Sequence, residues 1–201
     1  LTACALTQTS CSSDYMDTVP TEDASQATVS ASLDNLYLAL NGIHRKMVSH
    51  DQGNQGMGGE PGQIICREAL GDDMTWDTQS WHKGFLNWSY PTNASSSYNY
   101  NFWETYYKFI LNANMILESL EANYADSTEP MAKYIKGETL VIRAWSHFQL
   151  VQMYAQSYRD GDANSQPGVP YRLKANVEPM ARNTVAEVYS LINKDLDEAI
   201  Q

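Results

Sequence analysis

The chain of 201 residues contains few combinations of side chains suited to catalysis. Adjacent carboxylates occur at Asp72 and Asp73, with Glu68 and Asp77 nearby. A glycosidase needs two carboxyl groups on opposite sides of a sugar, and adjacency in sequence does not establish that geometry. The chain has no H-E-x-x-H and no G-x-S-x-G, and its four histidines lack metal-ligand spacing. We therefore predict no catalytic residue, no metal and no cofactor.

One acidic segment imitates the start of a calcium-binding loop. Asp160, Asp162 and Asn164 stand at alternate positions, as the first ligands of such a loop do. The rest of the pattern fails, because Ser165 stands where glycine is needed and Tyr171 where a bidentate glutamate is needed. The segment is therefore predicted to form a turn.

Aromatic side chains offer a different chemistry, because an indole plane can cover the apolar face of a sugar ring. Four of the five tryptophans lie between positions 76 and 103, and no helical period accounts for Trp76, Trp81 and Trp88 together. Polar side chains able to orient a ligand are interleaved with them. The candidate ligand-binding residues are Arg67, Asp72, Asp73, Trp76, Trp81, Asn87 and Trp88. The alternative is that these rings only anchor a long loop to the helices.

The net charge of −11 restricts the partners of the whole chain. Binding to phosphate backbones requires a basic face, so no nucleic-acid partner is predicted. A polybasic membrane patch is disfavoured for the same reason. An acidic chain remains compatible with neutral or cationic ligands.

The amino-terminal segment "LTACALTQTSC" is similar to the end of a bacterial lipoprotein signal peptide. Cys4 follows the better small-residue cleavage box, whereas Cys11 is followed by the polar residues expected of a membrane tether. The alternative is a plain flexible terminus. We predict a signal remnant over 1–11, a tether over 12–29 and a helical domain over 30–201. Three cysteines are too few for a disulfide framework.

Apolar residues recur at three- and four-residue steps in four segments, which is the period of an amphipathic helix. Pro130 suits the first turn of the third helix, and Thr184 with Glu187 forms a capping box for the fourth. The short connection between the second and third helices predicts an antiparallel hairpin. No strand pattern competes, so the predicted class is all-α. The predicted helices span about 30–50, 101–123, 130–158 and 184–201.

The segments between these helices are predicted to be loops. Five glycines between Gly53 and Gly62 indicate a flexible loop. A phosphate cradle is disfavoured because Pro61 replaces the third glycine of that motif. Residues 63–100 have little regular pattern, and residues 159–180 contain three prolines. Long irregular segments within a domain are often functional.

Glu138 and Arg143 are charged residues within the most apolar of the predicted helices, the third. Glu138 falls in the apolar stripe, so we expect it to be buried with a partner. Arg143 is one candidate partner, and Asn112 or Asn114 on the facing helix are others. We interpret this group as a structural polar network.

Two further patterns concern the architecture. Ala144 and Phe148 match the Ala-x3-Phe of the tetratricopeptide repeat, although the helix starts are unevenly spaced and require loop insertions. The fourth apolar stripe reaches Gln201 without a stop signal. We therefore expect the 201 residues to be the front of a longer protein.

Five segments occur in an order typical of one family, and their order over nearly the whole chain is more specific than any one of them. They are "CSSDYMDTVPT", "FWETYYKFILNANMILESL", "IKGETLVIRAWSHFQLVQMYAQSY", "QPGVPYR" and "ARNTVAEVYSLINKDLDEAI". The chain resembles the SusD/RagB family of outer-membrane nutrient-binding lipoproteins. The family places its lipidated cysteine just before an S-x-D-Y segment, and this implies that Cys11 carries the lipid.

The resemblance implies a fold of tetratricopeptide-like helical hairpins with long irregular loops on the ligand side. It implies a lipid-anchored protein on the cell surface that captures an oligosaccharide for nutrient uptake and does no chemistry on it. The implied partner is a SusC-like TonB-dependent outer-membrane transporter. In the family, "NWSYPTN" is similar to a scaffold segment, which makes Trp88 the weakest of the three tryptophan candidates. The alternative function is a tetratricopeptide-type protein adaptor without glycan binding.

Overall fold

The computed structural model describes residues 29–49, 58–71, 74 and 83–201. Within these ranges the chain forms six α-helices and no β-strand, so the all-α prediction is confirmed. The helices are α1 (Leu33–Val48), α2 (Gly59–Glu68), α3 (Lys83–Leu86), α4 (Ser97–Tyr124), α5 (Pro130–Tyr154) and α6 (Val185–Ala199).

The long helices α4 and α5 form the centre of the described fold. Five residues connect them, so they pack as the predicted antiparallel hairpin. Helix α6 packs on the other side of α5, and α1 contacts α2, α4 and α5. Apolar residues from α1, α4, α5 and α6 meet in one core, together with Val169 and Tyr171 from the connection before α6. Burial of this shared core is the main stabilising term of such a helical array.

Local sequence signals explain where several helices begin. Ser32 caps α1, because its Oγ accepts a hydrogen bond from the backbone N–H of Asn35 at 3.2 Å. Pro130 occupies the first turn of α5, where a missing N–H leaves no helical hydrogen bond unmade. The capping box of α6 is present as predicted. Glu187 donates its backbone N–H to Thr184 at 3.2 Å and accepts the Thr184 N–H at 2.8 Å.

The prediction of a loop over the whole glycine-rich segment is wrong for its last residues, because α2 begins at Gly59. Residues 51–57 of that segment lie outside the described residues. Gly59 has a φ of 61° and lies so close to the end of α1 that a Cβ there would clash with the carbonyl oxygen of Met47. Pro61 is tolerated because it lies in the first turn. The glycine and proline therefore start a helix against α1.

A buried polar network joins α4, α5 and α6, and its members differ from those predicted. Arg143 donates two hydrogen bonds to Asp195, both 2.7 Å long, and a third to Asn114 at 3.0 Å. Tyr171 donates to the same carboxylate at 2.6 Å. The paired groups compensate one another for the loss of water. The prediction of a structural polar network is confirmed, but Glu138 is not a member of it. Asn114, one of the candidate partners of Glu138, binds Arg143 instead, and Asp195 supplies the counter-charge of Arg143.

Glu138 is not in the buried stripe, and that prediction is wrong. Its Oε1 lies 2.8 Å from Nε2 of His44 on α1, and its side chain is partly exposed. Asn112 is exposed and donates to the carbonyl oxygen of Lys108 within its own helix. The helical period predicted Glu138 on the core-facing side of α5. Its side chain lies instead at the edge of that side, where α5 meets α1.

Candidate functional site

The candidate ligand-binding residues fall into two groups. Asp72, Asp73, Trp76 and Trp81 lie outside the described residues. Arg67, Asn87 and Trp88 lie inside them, on the two sides of that segment in the sequence. Only Arg67, Asn87 and Trp88 of the candidate residues can therefore be placed in the fold.

Arg67 lies near the end of α2 and points toward the α4–α5 hairpin. Its guanidinium donates to Glu60 at 2.8 Å, to the Tyr106 hydroxyl at 3.4 Å and to the side chain of Gln149. Only 22% of its side chain is exposed. Burial raises the pKa of Tyr106, so its hydroxyl stays protonated and donates to Glu60. Arg67 therefore joins α2 to α4 and α5, and its contact with a ligand stays a prediction.

A small aromatic cluster holds the two sides of the candidate segment together. Cys66 and Ala69 at the end of α2 are buried with Phe85 of α3. The Phe85 ring meets Tyr90 edge to face with centroids 5.3 Å apart, and meets Tyr98 in the same way at 5.0 Å. Such edge-to-face arrangements are the preferred geometry of aromatic pairs. We refer to Cys66, Ala69, Phe85, Tyr90 and Tyr98 as the ring cluster.

The ring cluster also requires a glycine. A Cβ at Gly84 would overlap the ring of Tyr90, which is stacked on Tyr98 at a centroid distance of 4.6 Å. The backbone N–H of Tyr90 donates to the carbonyl oxygen of Gly84 at 3.0 Å. The turn that follows α3 is thus fixed by ring contacts and by a backbone hydrogen bond.

Trp88 lies at the outer side of this turn, with 53% of its surface exposed. Its φ is 58°, which is an unusual conformation for a bulky side chain. The backbone is held in place by a hydrogen bond from the Trp88 N–H to the Phe85 carbonyl at 3.0 Å. Asn87, also exposed, accepts the N–H of Ser89 through its side chain at 3.1 Å. The structure therefore presents an indole and an amide on the surface at consecutive positions of the turn.

The other described tryptophans have scaffold positions. Trp103 meets Tyr154 edge to face at 5.0 Å, and Trp145 meets Tyr106 at 5.5 Å. Both are half-buried and pack against the main core. The aromatic residues Trp103 and Trp145 thus lie at the margin of the core formed by α4 and α5.

The structure brings Asn87 and Trp88 together but joins neither to Arg67 by a hydrogen bond between described residues. The ring cluster leaves no periodic signal in the sequence, because Tyr90 and Tyr98 share no period with Phe85. The ranking of Trp88 below Trp76 and Trp81 stays a prediction.

Among the described residues, no group of three or more His, Cys, Asp or Glu side chains is arranged to hold a metal ion. Residues 160–164 form the predicted turn, in which the Asn164 side chain accepts from the Arg159 N–H at 2.8 Å. No helix in the described ranges has the length and apolar character required to cross a bilayer.

Comparison with known families identifies the class of protein. A family model described as "Starch-binding associating with outer membrane", SusD-like, matches residues 14–201. The chain belongs to this SusD-like family, and the resemblance drawn from the sequence is confirmed. No curated protein matches the chain.

Solved structures confirm the fold. A SusD superfamily protein from Bacteroides fragilis superposes with a TM-score of 0.69 at 22% identity, covering 83% of this chain and 38% of the other. A SusD-like carbohydrate binding protein from Bacteroides vulgatus gives 0.67 at 22% identity, covering 84% and 35%. A second SusD superfamily protein from that organism gives 0.62 at 22% identity, covering 84% and 34%. The chain thus spans between 34% and 38% of the length of these proteins.

Proposed function

We propose that this protein is a cell-surface lipoprotein that captures oligosaccharides and delivers them to a SusC-like TonB-dependent transporter. Membership of a family described as starch-binding and associated with the outer membrane supports this role. One structural observation carries the proposal. Trp88 exposes its indole, and the preceding residue Asn87 exposes its amide, on a turn fixed by the ring cluster.

The geometry of this turn suits a sugar. An exposed indole covers the C–H face of a pyranose, while a neighbouring amide can donate to and accept from its hydroxyl groups. The unusual φ of Trp88 is maintained by the surrounding contacts, and strained backbone positions concentrate at functional sites. A turn fixed before the ligand arrives also reduces the ordering cost of binding. Trp76, Trp81, Asp72 and Asp73 complete the proposed site.

Calorimetric titration of the full-length protein against a panel of neutral oligosaccharides tests the role. Trp88→Ala, Trp76→Ala and Trp81→Ala are each expected to weaken binding by about fivefold or more, which corresponds to about 1 kcal/mol. Trp145→Phe is the matched control, because Trp145 packs against the core and its variant should bind as the native protein does. Undiminished binding in all three alanine variants would remove the site, and binding to peptides alone would remove the glycan class.

The surface location is proposed to depend on a lipid on Cys11. Expression of the full-length protein with Cys11→Ser should release it from the membrane fraction, whereas Cys4→Ser should leave it anchored. Recovery of both variants in the membrane fraction would contradict the assignment of Cys11. Incubation with polysaccharide should release no reducing ends, because the proposed role is capture without chemistry.

A protein adaptor is the second candidate function. One observation favours it: helices α4, α5 and α6 border an open groove of about 1020 Å³ with leucines and charged residues along its walls. Affinity purification of a TonB-dependent transporter by a protein that binds no oligosaccharide would support the adaptor. Glycan binding that depends on Trp88 would support the first proposal instead.

A further inference from the structure

A second groove lies between the first half of α4 and the connection that precedes α6. Its volume is about 350 Å³, at the lower end of the roughly 300–1,000 Å³ typical of small-ligand pockets. The wall from α4 consists of residues three or four positions apart on one helical face. They include Tyr100, Trp103, Tyr107 and Lys108. The opposite wall is formed by residues between Pro170 and Val177.

Buried polar side chains fix the opposite wall. Asn114 of α4 donates to the carbonyl oxygens of Arg172 and Lys174 at 3.0 and 3.2 Å. His147 of α5 accepts the backbone N–H of Arg172 at 3.0 Å. The Tyr107 hydroxyl donates to the Pro170 carbonyl at 2.8 Å. Two helices thus hold the connection from both sides, and this wall of the groove is formed before any ligand binds.

The charge of the groove is opposite to that of the chain. Three cations, Lys108, Arg172 and Lys174, line it with a single carboxylate, Glu104. The chain as a whole carries −11. Glu104 pairs with Lys108 at 3.1 Å, so Arg172 and Lys174 are the two lining cations without an ion pair among the described residues. The Glu118 carboxylate lies near this wall and accepts the Ala175 N–H at 2.9 Å. A cationic surface of this kind attracts an anionic ligand against the field of the rest of the molecule.

The two remaining cations are available to a ligand. Arg172 donates to the carbonyl oxygens of Asn176 and Glu178 at 3.3 and 2.7 Å, which orients its guanidinium without neutralising it. Lys174 is exposed and makes no ion pair with any residue of the described ranges. The groove also has aromatic walls from Trp103 and Tyr107, so it combines a surface for an apolar ring face with positive charge.

We propose that this groove binds a sugar residue that carries an anionic group, a carboxylate or a sulfate. The glycan class rests on the proposed function, whereas the anionic requirement comes from the charges of the groove itself. The ring stacks against the aromatic wall of α4, and its anionic group lies between Lys174 and Arg172. The groove uses residues other than Asn87 and Trp88, so it is a second subsite for acidic glycans.

The test compares three tetrasaccharides by calorimetry on the full-length protein: neutral maltotetraose, tetragalacturonate with carboxylates alone, and a κ-carrageenan tetrasaccharide with sulfates alone. Lys174→Glu should weaken binding of an acidic ligand roughly tenfold, because it places like charges together. Lys174→Arg should retain it. The matched control is Lys194→Glu, which makes the same charge change at an exposed lysine in the other groove. Added salt should weaken the binding of the acidic ligands more than the binding of maltotetraose.

Tighter binding of either acidic ligand than of maltotetraose, lost in Lys174→Glu and kept in the control, would support the subsite and show which anionic group it takes. Binding of the neutral ligand alone, or acidic binding unaffected by Lys174→Glu, would overturn the subsite and leave the proposed function standing. Failure to bind any of the three and any glycan of the wider panel would overturn both.

Discussion

Two long connections of this protein differ in the contacts that mainly hold them in place. The connection between α5 and α6, residues 155–184, is attached by directional hydrogen bonds from buried polar groups such as Asn114 and His147. The described part of the connection between α2 and α4 is attached by the apolar ring cluster. The hydrogen bonds hold the backbone of the first connection directly. The ring contacts hold side chains of the second connection, and neighbouring residues of that turn stay exposed. The first arrangement builds a groove wall, and the second presents Trp88.

The largest effect should follow from breaking the polar network that supports residues 155–184. Asp195→Ala leaves the Arg143 guanidinium buried without a counter-charge and is expected to lower the free energy of unfolding by about 3–5 kcal/mol. Urea denaturation followed by circular dichroism measures this change. The control is Glu198→Gln, which breaks the partly exposed pair with Lys136 and should cost less than about 1 kcal/mol. Equal losses in the two variants would refute the central role of the buried pair.

His147 makes the same connection sensitive to acid. It donates from Nδ1 to the Arg143 carbonyl and accepts the Arg172 N–H at Nε2, so it must be neutral. Burial, together with the nearby positive charges of Arg143 and Arg172, lowers the pKa of His147 from 6.5 to about 3. The unfolded state therefore binds more protons between these values, and stability is lost as the pH falls through that window.

The measurement compares native protein with His147→Gln, whose amide can keep one donor and one acceptor but cannot titrate. Between pH 7 and pH 5 the native protein should lose about 2 kcal/mol more of its free energy of unfolding than the variant. All other groups titrate in both proteins and cancel in the difference. Parallel pH profiles would show that His147 is not the responsible group.

The ring cluster should respond to a smaller change in volume. Gly84→Ala forces a methyl group against the Tyr90 ring and is expected to cost about 1–2 kcal/mol, within the usual range for overpacking. Gly71→Ala is the matched control, because its Cβ meets only the Glu68 carbonyl, at an ordinary 3.5 Å. Hydrogen exchange at residues 83–93 should accelerate in the first variant alone. Unchanged exchange at these residues would show that the ring cluster does not stabilise the turn.

The smallest effect on stability, and the opposite sign, is expected at Trp88. Trp88→Gly relieves a φ of 58° and should raise the free energy of unfolding by less than about 1 kcal/mol. Ser95→Gly, at an exposed position of the same connection without a positive φ, should lower it slightly. A stabilised Trp88→Gly protein with weakened glycan binding would show that the strain serves function. A loss of stability would assign Trp88 to the scaffold.

Sequence patterns were sufficient where structure is local. The hairpin of α4 and α5, the proline at the start of α5 and the capping box of α6 follow from helical periods and end signals within a few residues. Helix α2 was missed because Gly59, Pro61 and Gly62 hide its start, although Ile65, Cys66 and Ala69 continue its period. Position-specific rules for the first turn would have found it.

Contacts between distant residues were harder to predict. Asp195 has polar neighbours in the sequence of α6, which suggests an exposed position. It nevertheless pairs with Arg143, 52 positions away in the chain. The cationic groove is lined by both Lys108 and Lys174. Their proximity depends on the course of a connection whose sequence has no periodic signal. Such pairings depend on how the helices pack. A single sequence shows the charged residues but does not show which of them meet.

The ring cluster has one more consequence, for redox chemistry. Burial raises the pKa of the Cys66 thiol to about 12, and the thiolate is the form that reacts with oxidants and disulfides. At neutral pH almost none of it is ionised while the cluster is closed. A buried, protonated thiol outside any disulfide is therefore compatible with an oxidising environment. The contacts that shape the turn thus also protect this thiol from reaction. The rate at which Cys66 is alkylated therefore measures how often the ring cluster opens.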